Sequence, residues 1–409
     1  MEQNNKSYLG PLFLIGLLFF VFGFVTWVNG TLISFFKQAF GLSNTSSYLV
    51  TFAFFISYTI MAIPSSWLLK KVGFKKGMSL GLGIMAIGTL IFVPAANAES
   101  YPLFLVGLFT IGIGLTLLQT ASNPYATILG PRESAAQRIS FMGIANKTAG
   151  IISQKVFGGL LLAGSAVGVA TTSPKEELQK VVTPYLILTG VLVVLAILIQ
   201  LSKGLPEVSE EQEGIDEASF NNKKSVFDFP NLVLGLITLF CYVGVEVIAG
   251  DSIISYGISL GFSTEEASQF GTYTLWLMML GYVLGIVLIP KYVSQQTWLK
   301  LSAILGVIVT LCAIFTSGFA SVICIAVLGL ANAIMWPAIW PLAIDGLGKF
   351  TKIGSAWLVM MIAGGAILPL VYGAVADAIK SPQMAYSVMV PLYLFILYYA
   401  MLGYKKKTW

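Results

Sequence analysis

Uninterrupted apolar stretches of about 20 residues recur along the whole of this chain, and no other feature limits its fold as severely. A stretch of that length crosses the hydrocarbon of a bilayer as one helix, because no water is there to satisfy an open backbone. A soluble core could not hide so much apolar surface: 57% of the residues are hydrophobic and 10% charged, against roughly a quarter charged in soluble domains. Polar or Gly/Pro turns delimit spans at 10–39, 46–70, 77–96, 102–129, 137–163 and 183–202. Six more follow at 228–258, 268–290, 300–319, 321–345, 352–376 and 384–403. Between the two sets lies a polar segment, Lys203 to Lys224, holding Glu207, Glu210, Glu211, Glu213, Asp216 and Glu217, which reads as a solvated linker. The predicted fold is an all-α integral membrane protein of twelve transmembrane helices. It comprises an N-terminal six-helix bundle over 1–202, a cytoplasmic linker over 203–226 and a C-terminal six-helix bundle over 227–409.

The 41 glycines suit that solvent, since membrane helices associate by close backbone approach at small residues. The net charge of +5 is a matter of topology: Lys and Arg fall in short clusters between apolar runs, with no continuous basic face for nucleic acid. With the N-terminus inside, most of them lie on the cytoplasmic side, including Lys70, Lys71, Lys75, Lys76, Arg132, Arg138 and Lys405 to Lys407. Only Lys37, Lys175, Lys180 and Lys380 fall opposite, and Lys147 and Lys155 are within a span. Both termini are therefore expected in the cytoplasm, and the protein in a bacterial inner membrane as a multi-pass monomer. The polar start, MEQNNKSYLG, shows no cleavage site of small residues, so no removable signal is expected. Cys241, Cys312 and Cys324 lie inside apolar runs without a pairing pattern, and histidine is absent, so no cofactor or metal cluster is expected.

Two correspondences join the halves. NGTLISFFKQAFGLS (29–43) in the first span aligns with GDSIISYGISLGFS (250–263) in the seventh, which sets Gly30 against Asp251. The fourth span carries Gln119, Asn123 and Pro124, and the tenth carries Asn332, Trp336 and Pro337 at the same spacing. Two pseudo-symmetric bundles that rock about a midplane site are the membrane solution such a repeat implies.

LGLANAIMWPAIWPLAIDGLGKFTKIGS (328–355) and GGAILPLVYGAVAD (364–377) resemble the fucose/proton symporter family of major facilitator sugar transporters, nearest its glucose/galactose-type members. FVFGF (20–24), FFKQAFGLS (35–43), LFLVGLF (103–109), QTASNPYATILGP (119–131) and YVGVEV (242–247) extend the resemblance in order along the chain. It implies the major facilitator fold, a monosaccharide substrate and a cavity lined by the first, fourth, seventh and tenth helices with help from their neighbours. Proton-coupled fucose carriers resemble this chain but place an aspartate where it has Gly30 and a glutamate where it has Gln119. The hexose-carrying relatives share the glutamine, so Gln119 points to a glucose- or galactose-like sugar. KKVGFKKG (70–77) resembles the superfamily's basic turn but lacks its acidic residue, leaving topology as a sufficient reason for the four lysines.

A charge near the bilayer centre costs at least about 2.5–3.5 kcal/mol, so each needs a partner or a wet cavity. The candidates are Glu246 and Asp251 in the seventh span and Lys147 and Lys155 in the fifth. Asp251 is the expected coupling group, for H⁺ or for Na⁺ held nearby, the acidic residue absent at position 30 having moved to its symmetry mate. The plain alternative is an ion pair with Lys147 or Lys155. Glu246 could accept sugar hydroxyls or only pack. Lys147, roughly 15 Å into its span at 1.5 Å per residue, suits a cavity position. It could make the protein an ion-independent uniporter, or attract an acidic sugar.

Asn29, Gln119, Asn123, Asn146 and Asn332 offer the donors and acceptors that sugar hydroxyls need, their alternative being interhelical packing. Trp276 and Trp336 lie within spans, where stacking on a pyranose face would explain them; Trp27 and Trp340 are weaker cases. Asp345, Lys349 and Lys352 suggest an ion pair at the cytoplasmic end of the tenth span, and Asp377 a cap for the outer end of the eleventh. The function expected is alternating-access transport of a hexose-like sugar, coupled to Na⁺ or H⁺ through Asp251 and Glu246. A carrier of acidic or amino sugars, a multidrug exporter and a non-transporting sensor are the competitors. An enzyme is not expected, since no nucleophile is paired to a base within the spans.

Overall fold

Each long apolar run becomes a helix in the computed structural model, which describes residues 9–128, 135–162, 174–202, 225–289, 291–406 and 408–409. The first six spans are α1 (Gly10–Ala39), α2 (Leu49–Val72), α3 (Phe74–Asn97), α4 (Tyr101–Ile128), α5 (Ala135–Phe157) and α6 (Val182–Leu201). The second six are α7 (Pro230–Ser259), α8 (Thr264–Leu288), α9 (Gln295–Phe315), α10 (Gly318–Ile344), α11 (Ile353–Ile379) and α12 (Pro382–Lys405). Among the described residues, eleven of the twelve are long and apolar enough to cross a membrane. The exception is α5, which carries Arg138, Asn146, Lys147, Gln154 and Lys155.

The ends of the spans follow local chemistry. Gly41 at φ 63° and Gly261 at φ 90° reverse the chain after α1 and α7, in a left-handed conformation that glycine adopts without a Cβ penalty. Two residues on, Ser43 and Ser263 accept from the backbone N–H of Ser46 and Glu266, so the two halves use the same turn at the same place. Several spans are interrupted where the sequence suggested continuous helix, among them α1 at Val28, α3 at Ile91, α10 between Asn332 and Met335, and α11 at the 3-10 turn Met361–Ala363. Such breaks are tolerated in membranes where they are buried in protein or line a cavity.

Close approach at glycine repeats the same pairing in each half. A Cβ on Gly23 of α1 would lie 1.9 Å from the Asn146 carbonyl oxygen of α5. One on Gly364 of α11 would lie 1.9 Å from the Phe240 carbonyl oxygen of α7. Between the bundles, α5 packs along α8 and α2 along α11, where Thr59 Oγ1 donates to the Met360 carbonyl at 3.1 Å. Burial separates centre from rim: 72% of the apolar window of α7 is enclosed by protein, against 22% of the sixth span. The outer surface of α6 presents Ile187, Val194 and Ile197, each more than half exposed, as a lipid-facing helix must.

At the end of the molecule remote from the termini the bundles meet firmly. Both oxygens of Asp377 reach across to the short helix Asn44–Ser47 that precedes α2. They accept from the Asn44 backbone (3.0 Å) and side-chain amide (2.8 Å), and from the Thr45 backbone (2.8 Å) and hydroxyl (2.6 Å). The expected role of Asp377 as a cap for its own helix is thus corrected, because Lys380 ends α11 in the left-handed conformation. Beneath it, Tyr48 meets Tyr372 edge-on at 5.5 Å between ring centres, and Tyr372 contacts Tyr386 at 4.9 Å. Ser252 of α7 hydrogen-bonds Tyr386 at 2.7 Å. At the opposite end, the side chains of Lys349 and Lys352 lie outside the described residues, and the Asp345 carbonyl accepts from Asn231.

Candidate functional site

The polar residues of the spans converge on a cavity of about 210 Å³ between the bundles. From the first half it is lined by Phe19, Thr26 and Trp27 of α1, Phe55 and Tyr58 of α2, Gln119 of α4, and Asn146 and Lys147 of α5. The second half supplies Tyr242, Val243, Glu246, Val247 and Asp251 of α7, Tyr282 of α8, Trp336 of α10 and Ile362 of α11. On α7, Tyr242, Glu246 and Val243, Val247 recur four apart, which puts them on one stripe of the helix.

The charges are arranged as one pair and one separate carboxylate. Lys147 Nζ lies 3.3 Å from Glu246 Oε1, joining α5 to α7 across the bundle interface. Both side chains are largely enclosed, at 7% and 14% exposure, so this pair has lost most of the screening that makes surface pairs weak. The Lys147 ammonium also lies 4.2 Å from the centre of the Trp27 ring, which attracts it through the ring quadrupole. Trp27 in turn donates from Nε1 to Asn146 Oδ1 at 3.1 Å, and Asn146 Nδ2 donates to the Phe19 carbonyl at 3.4 Å. Trp27, Asn146, Lys147 and Glu246 therefore form one connected wall.

Asp251 does not pair with Lys147 or Lys155, as the plain alternative had it; Glu246 takes Lys147, and Lys155 points outward, exposed. Asp251 is 2% exposed and packs against Gly30. A Cβ at position 30 would lie 3.1 Å from its Cα and 3.4 Å from its Oδ1. The carboxylate thus occupies the space a side chain on Gly30 would need. On the other side of the break in α1, a Cβ on Gly250 would lie 2.5 Å from the Trp27 ring, so α1 and α7 cross at their aligned positions.

The remaining candidates fall apart from the cavity wall. Asn29 is fully buried, with neither amide atom bonded, and does not line the cavity. Asn332 is also buried and off the wall; its Oδ1 accepts from Tyr393 at 2.9 Å, which ties α10 to α12. Trp276 is the clearest correction: it stands 53% exposed on the outer surface of α8, where it cannot meet a ligand held between the bundles. The side chain of Asn123 lies outside the described residues. Sequence reasoning missed Tyr58, Tyr242 and Tyr282, although a tyrosine in mid-span is a polar tip that needs a partner. The spacing of Tyr242 to Glu246 was the available signal. Trp336, set 6.4 Å from Tyr242 and 5.4 Å from Trp340 between ring centres, lines the wall as expected.

The wall thus offers a cation, two carboxylates, two amides and five aromatic rings that carry a polar atom, from both halves at once. That combination suits a small polyol whose ring has an apolar face and a rim of hydroxyls. Among the described residues no group of three or more acidic or thiol ligands stands together to hold a metal.

Residues 15–369 match the Major Facilitator Superfamily model. A glucose/galactose transporter of Brucella abortus is 36% identical over 408 residues, covering 98% of this chain and 96% of that protein. The L-fucose-proton symporter of Escherichia coli is 32% identical over 390 residues, covering 92% and 89% respectively. The crystal structure of an E. coli fucose:proton symporter variant superposes with a TM-score of 0.72 at 30% identity, covering 97% of this chain and 98% of that one.

Proposed function

The chain belongs to the major facilitator superfamily, among the sugar transporters of the fucose/proton symporter type, and from that premise we propose that it carries a hexose-like monosaccharide by proton-coupled alternating access. The observation that carries the proposal is the convergence of Gln119, Asn146, Lys147, Glu246 and Asp251, drawn from both bundles, on one cavity. A ligand there touches both halves, so its binding energy can favour one arrangement of the bundles over the other. Units 1–202 and 227–409 are the rocking bodies. By the distribution of Lys and Arg, the end closed by Asp377 faces away from the cytoplasm of a bacterial cell, with the inner membrane as the site.

Asp251 is the group we assign to the proton. It lines the cavity, is buried, and lacks the cation that neutralises Glu246. A carboxylate in a cavity that opens to opposite sides of the membrane in turn can take up a proton on one side and release it on the other. Sodium has less support, because the symporters among the relatives are named for the proton and, among the described residues, no group of three or more acidic or thiol ligands stands together. A second reading, an ion-independent uniporter, draws on the Lys147–Glu246 pair, in which a fixed ammonium stands where a transported cation could sit.

Purified protein in liposomes should exchange labelled glucose, galactose or fucose in counterflow, and a pH gradient, acid outside the cytoplasmic face, should drive accumulation. Asp251→Asn should keep counterflow while losing accumulation by at least about tenfold. Accumulation that persists in Asp251→Asn would refute the assignment of the proton, and a wild type that exchanges no hexose would refute the substrate class.

A further inference from the structure

We infer that Lys147 and Glu246 are a specificity-determining pair that makes this cavity selective for uncharged vicinal diols and closed to both acidic and amino sugars. The inference rests on the sugar-carrier reading and goes beyond it, because it says which sugars are refused and by which atoms. Lys147 would by itself draw an anion, and Glu246 a cation. At 3.3 Å each cancels the other's field at the wall, so a charged ligand gains no counter-ion and still gives up its water. A neutral ligand meets a different situation. An ammonium has only donors and a carboxylate only acceptors. Two neighbouring hydroxyls can satisfy both at once, one oxygen accepting from Nζ while the next hydroxyl donates to Oε1.

The position of the pair strengthens this assignment. It joins α5 to α7, one helix from each bundle, so a diol held between the two groups is gripped by both halves. The ammonium is fixed from behind by the Trp27 ring at 4.2 Å, and Trp27 is fixed by Asn146 at 3.1 Å, so the donor end is pre-set rather than loose. Asp251 also lines the cavity, but as the group assigned to the proton it is neutral when sugar binds in the proton-coupled reading, and so offers an amino sugar no counter-charge. Selectivity of this kind depends on balance, and removing either partner should convert rejection into acceptance of the complementary charge.

The test uses the full-length protein in detergent, with thermal stabilisation by ligand as a readout of binding that needs no transport. The probes are glucose and galactose, glucuronate and galacturonate, and glucosamine and galactosamine. Wild type should be stabilised by the neutral hexoses and at least tenfold more weakly by the charged ones. Glu246→Gln should bind the neutral hexoses about tenfold or more weakly and gain binding of the uronates. Lys147→Met should show the mirror result, gaining the amino sugars. The reversed pair, Lys147→Glu with Glu246→Lys, keeps the balance and should retain preference for the neutral set. If wild type binds neutral hexoses but neither single variant changes its charge preference, the pair is merely structural and the inference is wrong, while the carrier reading stands. If wild type binds uronates as well as hexoses, the inference is also wrong. If wild type binds no sugar at all and the single variants gain none, both readings fall.

Discussion

Gly23 decides by one missing methyl group how closely α1 can lie on α5. Its hypothetical Cβ would stand 1.9 Å from the Asn146 backbone oxygen, a contact that only a shift of one helix relieves. Gly23→Ala is therefore expected to cost about 1–3 kcal/mol of packing and to lower the thermal midpoint by several degrees, measured in detergent. Gly30 is a different case, because the neighbour is the carboxylate-bearing residue of α7. Gly30→Asp alone would set two carboxylates side by side and should abolish accumulation. The double variant Gly30→Asp with Asp251→Gly, which returns the acid to α1, should recover part of it, as uptake driven by a pH gradient would report. The aligned repeat made the residue pair visible in the sequence, since it put Gly30 opposite Asp251 before any coordinates did. Lys147 and Glu246 were legible singly, as charges in need of partners, but their pairing was not, because nothing in a one-dimensional pattern says which of two lysines faces α7. Trp276 misled for the same reason: its depth in the span could be counted, but which way it turned could not. Outward-facing and cavity-facing positions alternate on a helix that is apolar all round.

Among the elements, the short helix before α2 is one that sequence periodicity did not foretell. Four residues carry no pattern, and what holds Asn44 and Thr45 in place is Asp377, more than 300 positions away. Hydrogen bonds to a charged group contribute roughly 1.5–3 kcal/mol each and are not additive across one carboxylate. Even the net loss of one such bond is enough to shift a two-state balance about tenfold. Asp377→Ala should therefore favour separation of the bundles at this end. Spin labels at Ala98 and Ser317, exposed loop positions in opposite halves, should show a longer distance population than in the otherwise unaltered protein. An unchanged distribution would mean that the tyrosines Tyr48, Tyr372 and Tyr386 suffice to hold the closure. Helix existence and order were legible throughout, because about 20 apolar residues leave the backbone no alternative in hydrocarbon. The breaks in α1 and α10 were not, since a broken membrane helix is decided by what its freed backbone groups meet, which lies in other spans.

For the molecule as a whole, the pairing of α1 with α5 and of α7 with α11 through equivalent glycine contacts argues that each half packs by its own internal rules. Halves 1–202 and 227–409, produced together as separate chains, should then reassemble and recover hexose binding, which co-purification and ligand-dependent stabilisation would detect. The junction between the halves is also where the two ends of the Lys147–Glu246 pair come from, and that has a consequence for how the protein is made. The fifth span carries more charge than its neighbours in the chain, and its Lys147 emerges from the ribosome nearly a hundred residues ahead of the carboxylate that neutralises it. An ammonium waiting at mid-depth is penalised by about 2.5–3.5 kcal/mol on insertion scales. During synthesis α5 must rest in the insertion machinery, or shelter against α1, until α7 arrives. Nascent chains arrested just before Glu246 should consequently resist alkaline extraction less well than those arrested just beyond the seventh span.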